Sequence, residues 1–393
     1  MELLGKSREE LRAYCKSLGE PEYRGGQIYH ALYAERRFDV AGMTNLPAAL
    51  REKLGREATV TLPEVRKKYL SKDGSVRYLF GLGEKKNLPT EDTESTEKKQ
   101  ERKMRLNPTA VEAVFMPSEG RQTSCISTQA GCAVDCQFCL TAQLGLIRNL
   151  TAGEIVGQVL VPLKEMGEAP EKNKGAMAGD EADELEENGL AGRTNVVLMG
   201  QGEPLLNFDN VMGALRILLD QEGMGLSPKH VTLSTSGIVP GIERLAKEEV
   251  RPKLAISLNA SNDEQRDALM PINKKYPLKV LMEACRTYPL RGWEHLTFEY
   301  VMLGGVNDAA EDARRVVRLL APLKSVKVNL IPWNPGELPY KESSAAKIEE
   351  FRRILTERGV PAFVRYSRGR DVMAACGQLA LIEVKNSPLA VLP

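Results

Sequence analysis

The chain reads as an α/β protein built on a partial, open (βα) barrel, and three observations carry that reading. From about residue 195 onward, short strand-like runs alternate with amphipathic stretches. Parallel strands need such helical crossovers. Odd polar residues fall at the carboxyl ends of the runs, where barrels of this kind gather their chemistry. A cysteine-rich loop follows the first strand of the series.

In chain order, residues 1–60 form a small helical domain. Leu3, Leu11 and Leu18 recur at helical spacing, and Gly19-Glu20-Pro21 ends that run. A second helix starts at Tyr23-Arg24-Gly25-Gly26. A third follows Met43-Thr44-Asn45-Leu46-Pro47, with Asn45 as its cap and Pro47 near its start. Lys16, Arg24, Arg36, Arg37 and Arg51 offer a face for phosphates, although charge alone favours an ordinary solvated helical surface.

Residues 61–121 form a hairpin and linker. Runs 65–71 and 76–82 flank Lys72-Asp73-Gly74-Ser75, where Asp-Gly is a strong turn signal. A charged, apolar-poor insertion at 83–107 follows, and 111–117 alternates as a strand. From the residues alone, Glu112 on that strand is a polar group facing outward from a sheet edge.

The barrel occupies 122–385. Thr151-Ala152-Gly153-Glu154 is a capping box opening a helix over 154–164, and an acidic, Gly/Ala-rich insertion fills 167–193. Strands are expected at 195–199, 230–234, 254–258, 297–302 and 326–331, with helices at 211–220, 240–248, 278–286 and 310–320. With the strand before Cys132 this makes six βα units. A last strand over 362–365 precedes the segment 368–379, and 386–393 form a tail.

Bulk properties narrow the function classes. At 393 residues the chain can bury one large core plus an accessory domain. Formal charge is +1, so any nucleic-acid surface must be local. No apolar run approaches membrane-span length, and the first residues lack a signal-peptide core, so no membrane partner is expected. Four of the seven cysteines lie within fifteen residues, which suits a reducing, cytoplasmic setting rather than a disulfide framework. A monomer is the expected state.

Those four are Cys125 and the C-x3-C-x2-C run of Cys132, Cys136 and Cys139. A tetrahedral zinc site wants a fourth protein ligand, and no second Cys pair or nearby His supplies one. Three closely spaced thiolates suit a [4Fe-4S] cluster with one iron left open. Cys15 and Cys285 read as small core residues. Met199-Gly200-Gln201-Gly202-Glu203-Pro204 follows a strand. Its glycines let backbone approach a ligand, and Glu203 can accept from an ammonium group. Ser234, Ser257-Leu258-Asn259 and Asn334 also sit at strand ends, and each reads equally well as a turn residue.

The C-x3-C-x2-C run, with Phe138 before its last Cys, resembles the signature of radical S-adenosylmethionine enzymes. Cys125 seven residues upstream and Leu150-Thr151-Ala152-Gly153-Glu154-Ile155 resemble the branch that methylates adenine C2 in RNA, the RlmN type. The resemblance implies a radical-SAM partial (βα)6 barrel and an amino-terminal domain that helps dock RNA. It implies that Cys132, Cys136 and Cys139 hold the cluster, and that Gly202, Glu203, Ser234, Ser257, Leu258, Asn259 and Asn334 contact S-adenosylmethionine. Asn259 departs from an expected histidine, and Arg370 from a more usual acidic residue.

It also turns Cys376 from core filling into the carrier of a methyl group. In that scheme two S-adenosylmethionine molecules serve each turnover. One methylates Cys376; the other yields a 5′-deoxyadenosyl radical that activates the S-methyl group. Cys125 resolves the adduct through a transient disulfide, and Glu112, thirteen residues before Cys125, is a candidate proton acceptor. The implied partners are 23S rRNA, tRNA beside the anticodon, and an electron donor of flavodoxin or ferredoxin type. Alternatives are a relative that methylates adenine C8, a radical-SAM enzyme on a small molecule or peptide, and a non-enzymatic iron–sulfur module.

Overall fold

A computed structural model of the chain describes residues 1–83, 110–118, 120–168 and 194–381. The expected insertions at 83–107 and 167–193 and the tail at 386–393 lie outside these residues, apart from Gly83 and the end of one helix.

Three helices open the fold: α1 (Arg8–Ser17), α2 (Tyr23–Tyr33) and α3 (Ala48–Glu57). α1 starts on a capping box in which Ser7 Oγ accepts from Glu10 N while Ser7 N donates to Glu10 Oε2. Asn45 does not cap α3. The helix begins after Pro47, and Asn45 Nδ2 instead donates to Gln27 O at 3.1 Å, tying α3 back to α2. Of the cations considered for phosphate, Lys16 pairs with Glu22 and Arg37 with Glu35, as an ordinary surface would.

The main sheet has ten strands. β1 (Glu64–Leu70), β2 (Val76–Gly81), β3 (Ala110–Ser118) and β4 (Arg121–Cys125) are antiparallel neighbours. From β4 the sheet runs parallel through β7 (Thr194–Leu198), β8 (Val231–Thr235), β9 (Lys253–Ser257), β10 (Leu296–Met302), β11 (Val326–Pro332) and β12 (Ala362–Val364). The crossovers are α4 (Ala152–Glu168), α5 (Phe208–Leu219), α6 (Val239–Leu245), α7 (Asp263–Leu269) with α8 (Leu278–Thr287), α9 (Ala310–Leu320) and α10 (Ala345–Glu357). Six βα units and a seventh parallel strand therefore stand where the alternation placed them.

Three local differences have physical reasons. β3 is not an edge strand but lies between β2 and β4, so its residues are buried on both faces rather than alternating. The strand entering the cysteine loop, Arg-Gln-Thr-Ser-Cys, is polar; pairing with β3 and β7 makes it a strand despite its composition. A two-stranded ribbon of β5 (Gln129–Gly131) and β6 (Leu146–Asn149) pinches the base of the cysteine loop. Gly131 has φ +73°, and a Cβ there would lie 1.8 Å from Gly145 O, so that pinch admits only glycine.

One apolar cluster runs from Leu3 and Leu11 through Val156 and Leu160 to Phe298 and Phe351. The helical domain is thus packed into the barrel's own core. At the seam, a Cβ on Gly5 would lie 2.2 Å from Gly153 N, so the segment leading into α1 approaches the start of α4 backbone to backbone.

Candidate active site

Inward-facing residues of the parallel strands are polar at alternate positions: Asn195 on β7, Thr232 and Ser234 on β8, Thr297 and Glu299 on β10, Lys327 and Asn329 on β11. A strand buried on both faces normally reads as a continuous apolar run. Here the inner face borders open space, and two adjoining cavities occupy it.

The first cavity lies at the carboxyl ends of the strands, where about 1010 Å³ stands free of protein atoms, its open mouth included. Cys132, Cys136 and Cys139 line it together with Gly202, Glu203, Ser234, Ser257, Asn259 and Asn334. The cysteine loop is held by Cys132 N to Gly145 O at 2.9 Å and Gln137 N to Leu269 O at 3.0 Å. Asp135 turns it in a left-handed conformation at φ 58°. Burial pushes the Cys132 thiol up to about 12 and Cys136 well above its ordinary value, so iron must displace protons on binding. Among the described residues no three His, Cys, Asp or Glu side chains converge as a mononuclear ion would require. A shared cavity wall with three soft thiolates fits a multi-iron cluster instead.

Gly202 is required by space: its φ is +98°, and a Cβ would sit 2.5 Å from Gln129 Cβ. Glu203 Oε2 accepts from Ser236 N at 2.7 Å and Oε1 from Leu205 N at 3.1 Å. Burial raises its pKa, opposed by those donors. Ser234 and Ser257 place their hydroxyls 3.5 Å apart on one wall. Asn259 is committed to the fold, with Oδ1 accepting from Val301 N at 2.8 Å and φ at 56°. The Leu258 side chain is wholly buried in the apolar core and does not line the cavity, because successive strand residues face opposite ways. Asn334 Nδ2 donates to Ser367 Oγ at 2.9 Å and to Cys376 O at 3.1 Å.

The second cavity continues along the lumen toward the amino ends of the strands. Cys125 lines it at the end of β4. Cys376 lines both cavities and is exposed, its free surface facing this enclosed space. Its loop is fastened on several sides. Gly377 O accepts from Leu140 N at 2.8 Å, and Leu379 O accepts from Thr141 Oγ1 at 2.6 Å, both beside the cysteine loop. Asp371 accepts from Ser71 Oγ and Lys72 N, and Gly369 N donates to Asp73 Oδ2 at 2.7 Å. The hairpin tip thus carries the loop. Burial raises the Cys376 thiol; a hydrogen bond from Ser367 lowers it, and the charges of Glu299 and Cys139 raise it. Burial and the neighbouring Cys376 likewise raise Cys125.

Glu112 is not brought to either cavity. It is 1% exposed, its carboxylate pairs with Arg77 at 3.0 Å, and it accepts from Leu381 N at 3.0 Å. Burial raises its pKa against the pull of Arg77. In this arrangement its carboxylate fastens the end of the loop that carries Cys376. Cys15 and Cys285 are buried core residues, as expected. All seven cysteines are free thiols, so Cys125 and Cys376 are not bridged.

Sequence reasoning passed over Glu299, Ser367 and the lumen cations Lys253, Lys327 and Arg365. Their signal was the polar residue at every second position of otherwise apolar parallel strands.

A partial parallel barrel with three loop cysteines on a cavity at its carboxyl-terminal mouth defines the radical S-adenosylmethionine class. Comparisons agree: residues 126–320 match the Radical SAM superfamily, and residues 1–60 match the ribosomal RNA large subunit methyltransferase N-terminal domain. The chain is 46% identical over 375 residues to a probable dual-specificity RNA methyltransferase RlmN of Koribacter versatilis, covering 93% of this chain and 98% of that protein. It is 42% identical over 386 residues to the dual-specificity RNA methyltransferase RlmN of Cereibacter sphaeroides, covering 96% and 89%. The crystal structure of a radical SAM methyltransferase from Sphaerobacter thermophilus superposes with a TM-score of 0.79 at 39% identity, over 96% of this chain and 99% of that one. The chain belongs to the RlmN family of radical-SAM RNA methyltransferases. Its class works with an iron–sulfur cluster and S-adenosylmethionine. Among the described residues no helix is long and apolar enough to cross a membrane.

Proposed function

We propose that this enzyme methylates C2 of adenine in 23S rRNA and in tRNA beside the anticodon, by way of a methyl group carried on Cys376. The observation that carries the reading is that Cys376 lines both the cavity of Cys132, Cys136 and Cys139 and the cavity of Cys125. A methyl acceptor that must meet a sulfonium donor and then a base needs that position.

Adenine C2 is electron-poor and does not attack a methyl sulfonium, whereas a thiolate does; covalent relay divides the task into feasible steps. Cys132, Cys136 and Cys139 would hold the cluster, and Gly202, Glu203, Ser234 and Ser257 would surround the S-adenosylmethionine. When bound, the cluster supplies the electron that makes a 5′-deoxyadenosyl radical from a second S-adenosylmethionine. Cys376 presents its S-methyl group at that spot and then to the base. The S-methyl carbon, having lost a hydrogen atom, bonds to adenine C2, and the adduct gives up the C2 proton to a base and its unpaired electron to the external one-electron carrier. Cys125 then attacks the Cys376 sulfur; the carbon–sulfur bond breaks, the carbon takes a proton, and a disulfide forms that an external reductant must open. Of the two candidate proton acceptors for C2, Cys125 opens onto the cavity and Glu112 does not.

RNA must present the adenine unstacked, because a base inside a helix is out of reach. The second cavity suits such a guest. Arg121, His230, Lys253, Lys327, Arg365 and Arg368 line it, and Tyr366 on its wall is 66% exposed, available for stacking on a splayed base. An electron donor of flavodoxin or ferredoxin type, a monomeric state and a cytoplasmic setting complete the reading.

Mass spectrometry of digested rRNA and tRNA after anaerobic incubation with the reconstituted enzyme tests it. Expected is 2-methyladenosine with the wild type and none with Cys376→Ala. An 8-methyladenosine product, or unaltered activity in Cys376→Ala, would refute it.

A further inference from the structure

One buried carboxylate on the lumen wall has no part in the scheme above. Glu299 lies mid-strand in β10, 8% exposed, and with Cys376 lines both cavities. In register with Asn329 on β11, it accepts from that residue's Nδ2 through Oε1 at 2.9 Å. Its other oxygen receives no donor among the described residues. Its charge bears on the Cys376 thiol. Ser367 lies beside the same sulfur and lowers its pKa. Ser367 Oγ already accepts from Asn334 Nδ2 at 2.9 Å, which leaves its own proton to be donated.

A free thiol near its ordinary pKa of about 8.5 is mostly protonated at neutral pH, and the thiolate is the nucleophile. We propose that Glu299 accepts the Cys376 proton as that sulfur takes its methyl group, while Ser367, held by Asn334, donates to the emerging thiolate. The step balances without redox change. The S–H bond breaks and its proton passes to Glu299; the sulfur pair forms the S–CH3 bond; the methyl–sulfonium bond breaks and S-adenosylhomocysteine leaves. Glu299 then returns its proton to solvent through the second cavity. The inference rests on the reading of Cys376 as methyl carrier.

The groups facing Glu299 are Asn329 and Lys327 from β11, Arg365 beyond β12, and Cys376 from the loop. Burial lifts Glu299 to about 7 against the pull of Asn329, Arg365 and Lys327. It therefore exchanges protons near neutrality, where a general base works best.

The experiment incubates the reconstituted full chain with S-adenosylmethionine bearing a deuterated methyl group and follows label on the Cys376 peptide by mass spectrometry, from about pH 6 to about pH 10. Wild-type loading should rise through about pH 7 and level off. Glu299→Gln should load about 100-fold more slowly at neutral pH, and the deficit should close as the thiol ionises unaided. Glu299→Asp should recover part of the rate. An equal deficit at every pH would mean a merely structural role and overturn the proposal, as would wild-type loading by Glu299→Gln. Absence of label in the wild type would instead remove the methyl-carrier reading beneath it. Should Glu299→Gln not fold, iodoacetamide alkylation of Cys376 in Ser367→Ala decides. Its pH profile should move alkaline by about one unit, and an unmoved profile overturns the donor arm and with it the proposal.

Discussion

The Arg77–Glu112 pair shows what burial does to a single residue. Arg77 is fully buried, stacks over the Tyr69 ring at 4.0 Å and meets Glu112 in mid-sheet. Removing one partner leaves an uncompensated buried charge, so Arg77→Ala should destabilise the fold by about 3–5 kcal/mol. Denaturant titration against the wild type checks this. Glu112→Gln keeps the shape and can still accept from Leu381 N, so it should cost less than Arg77→Ala by the same titration. Resemblance singled out Glu112, but nothing local in the sequence said whether its carboxylate was open or clamped. Glu299 makes the matching case for pH. Its folded pKa, about 7, stands above its ordinary 4.5, so the folded state holds the extra proton. That contribution is full below the ordinary value and is lost as pH rises through about 7. Glu299→Gln should therefore flatten the fall in melting temperature across that window. A slope identical to the wild type's would refute the assignment.

Among elements, the hairpin tip and the Cys376 loop form one unit. Asp73 and Asp371 each accept from backbone or hydroxyl donors 296 to 300 residues away in the chain. Desolvation by burial raises the Asp371 pKa, but those donors outweigh it and hold the group below its ordinary value. Asp371→Ala should loosen residues 368–379, raising their amide exchange and lowering methyl transfer while cluster absorbance persists. Arg370, the departure from the family pattern, pairs with Glu342 at 3.1 Å on the outside of the same loop. The Asp-Gly turn was legible because turn chemistry is local, and Gly74 does take φ +81°. The partner of that turn was not legible, because only the ten-strand order brings residue 371 to it. The ribbon that pinches the cysteine loop escaped notice for the same reason: its two short strands have no strong propensity and exist through each other.

At the scale of the whole molecule, the helical domain and the barrel share one core, and the cations gather at the lumen instead of in the net charge of +1. RNA affinity should accordingly depend on salt. Lys253→Ala and Lys327→Ala should each weaken rRNA and tRNA binding and reduce the slope of log K against log salt by about 1. Filter binding over a salt series measures this, and unchanged slopes would place the RNA elsewhere. Gly153→Ala should push α4 away from Gly5, where backbone atoms leave no room for a methyl group. A lowered melting temperature with weakened RNA binding is expected; wild-type behaviour would mean the seam yields freely.

Alone, the sequence determined what short stretches dictate: the C-x3-C-x2-C run, the capping box at Thr151 and Glu154, the alternation of βα units, and the glycine turn before Glu203. Ligand spacing, cap geometry and hydrophobic period act over a few residues, so they can be read in line. Tertiary structure alone decided that Cys376 stands between the cavity of Cys132, Cys136 and Cys139 and that of Cys125, that Glu299 lines both with it, and that Glu112 is sealed beneath the loop. Those relations join residues far apart in the chain, and they follow from strand order and register, which no local propensity encodes.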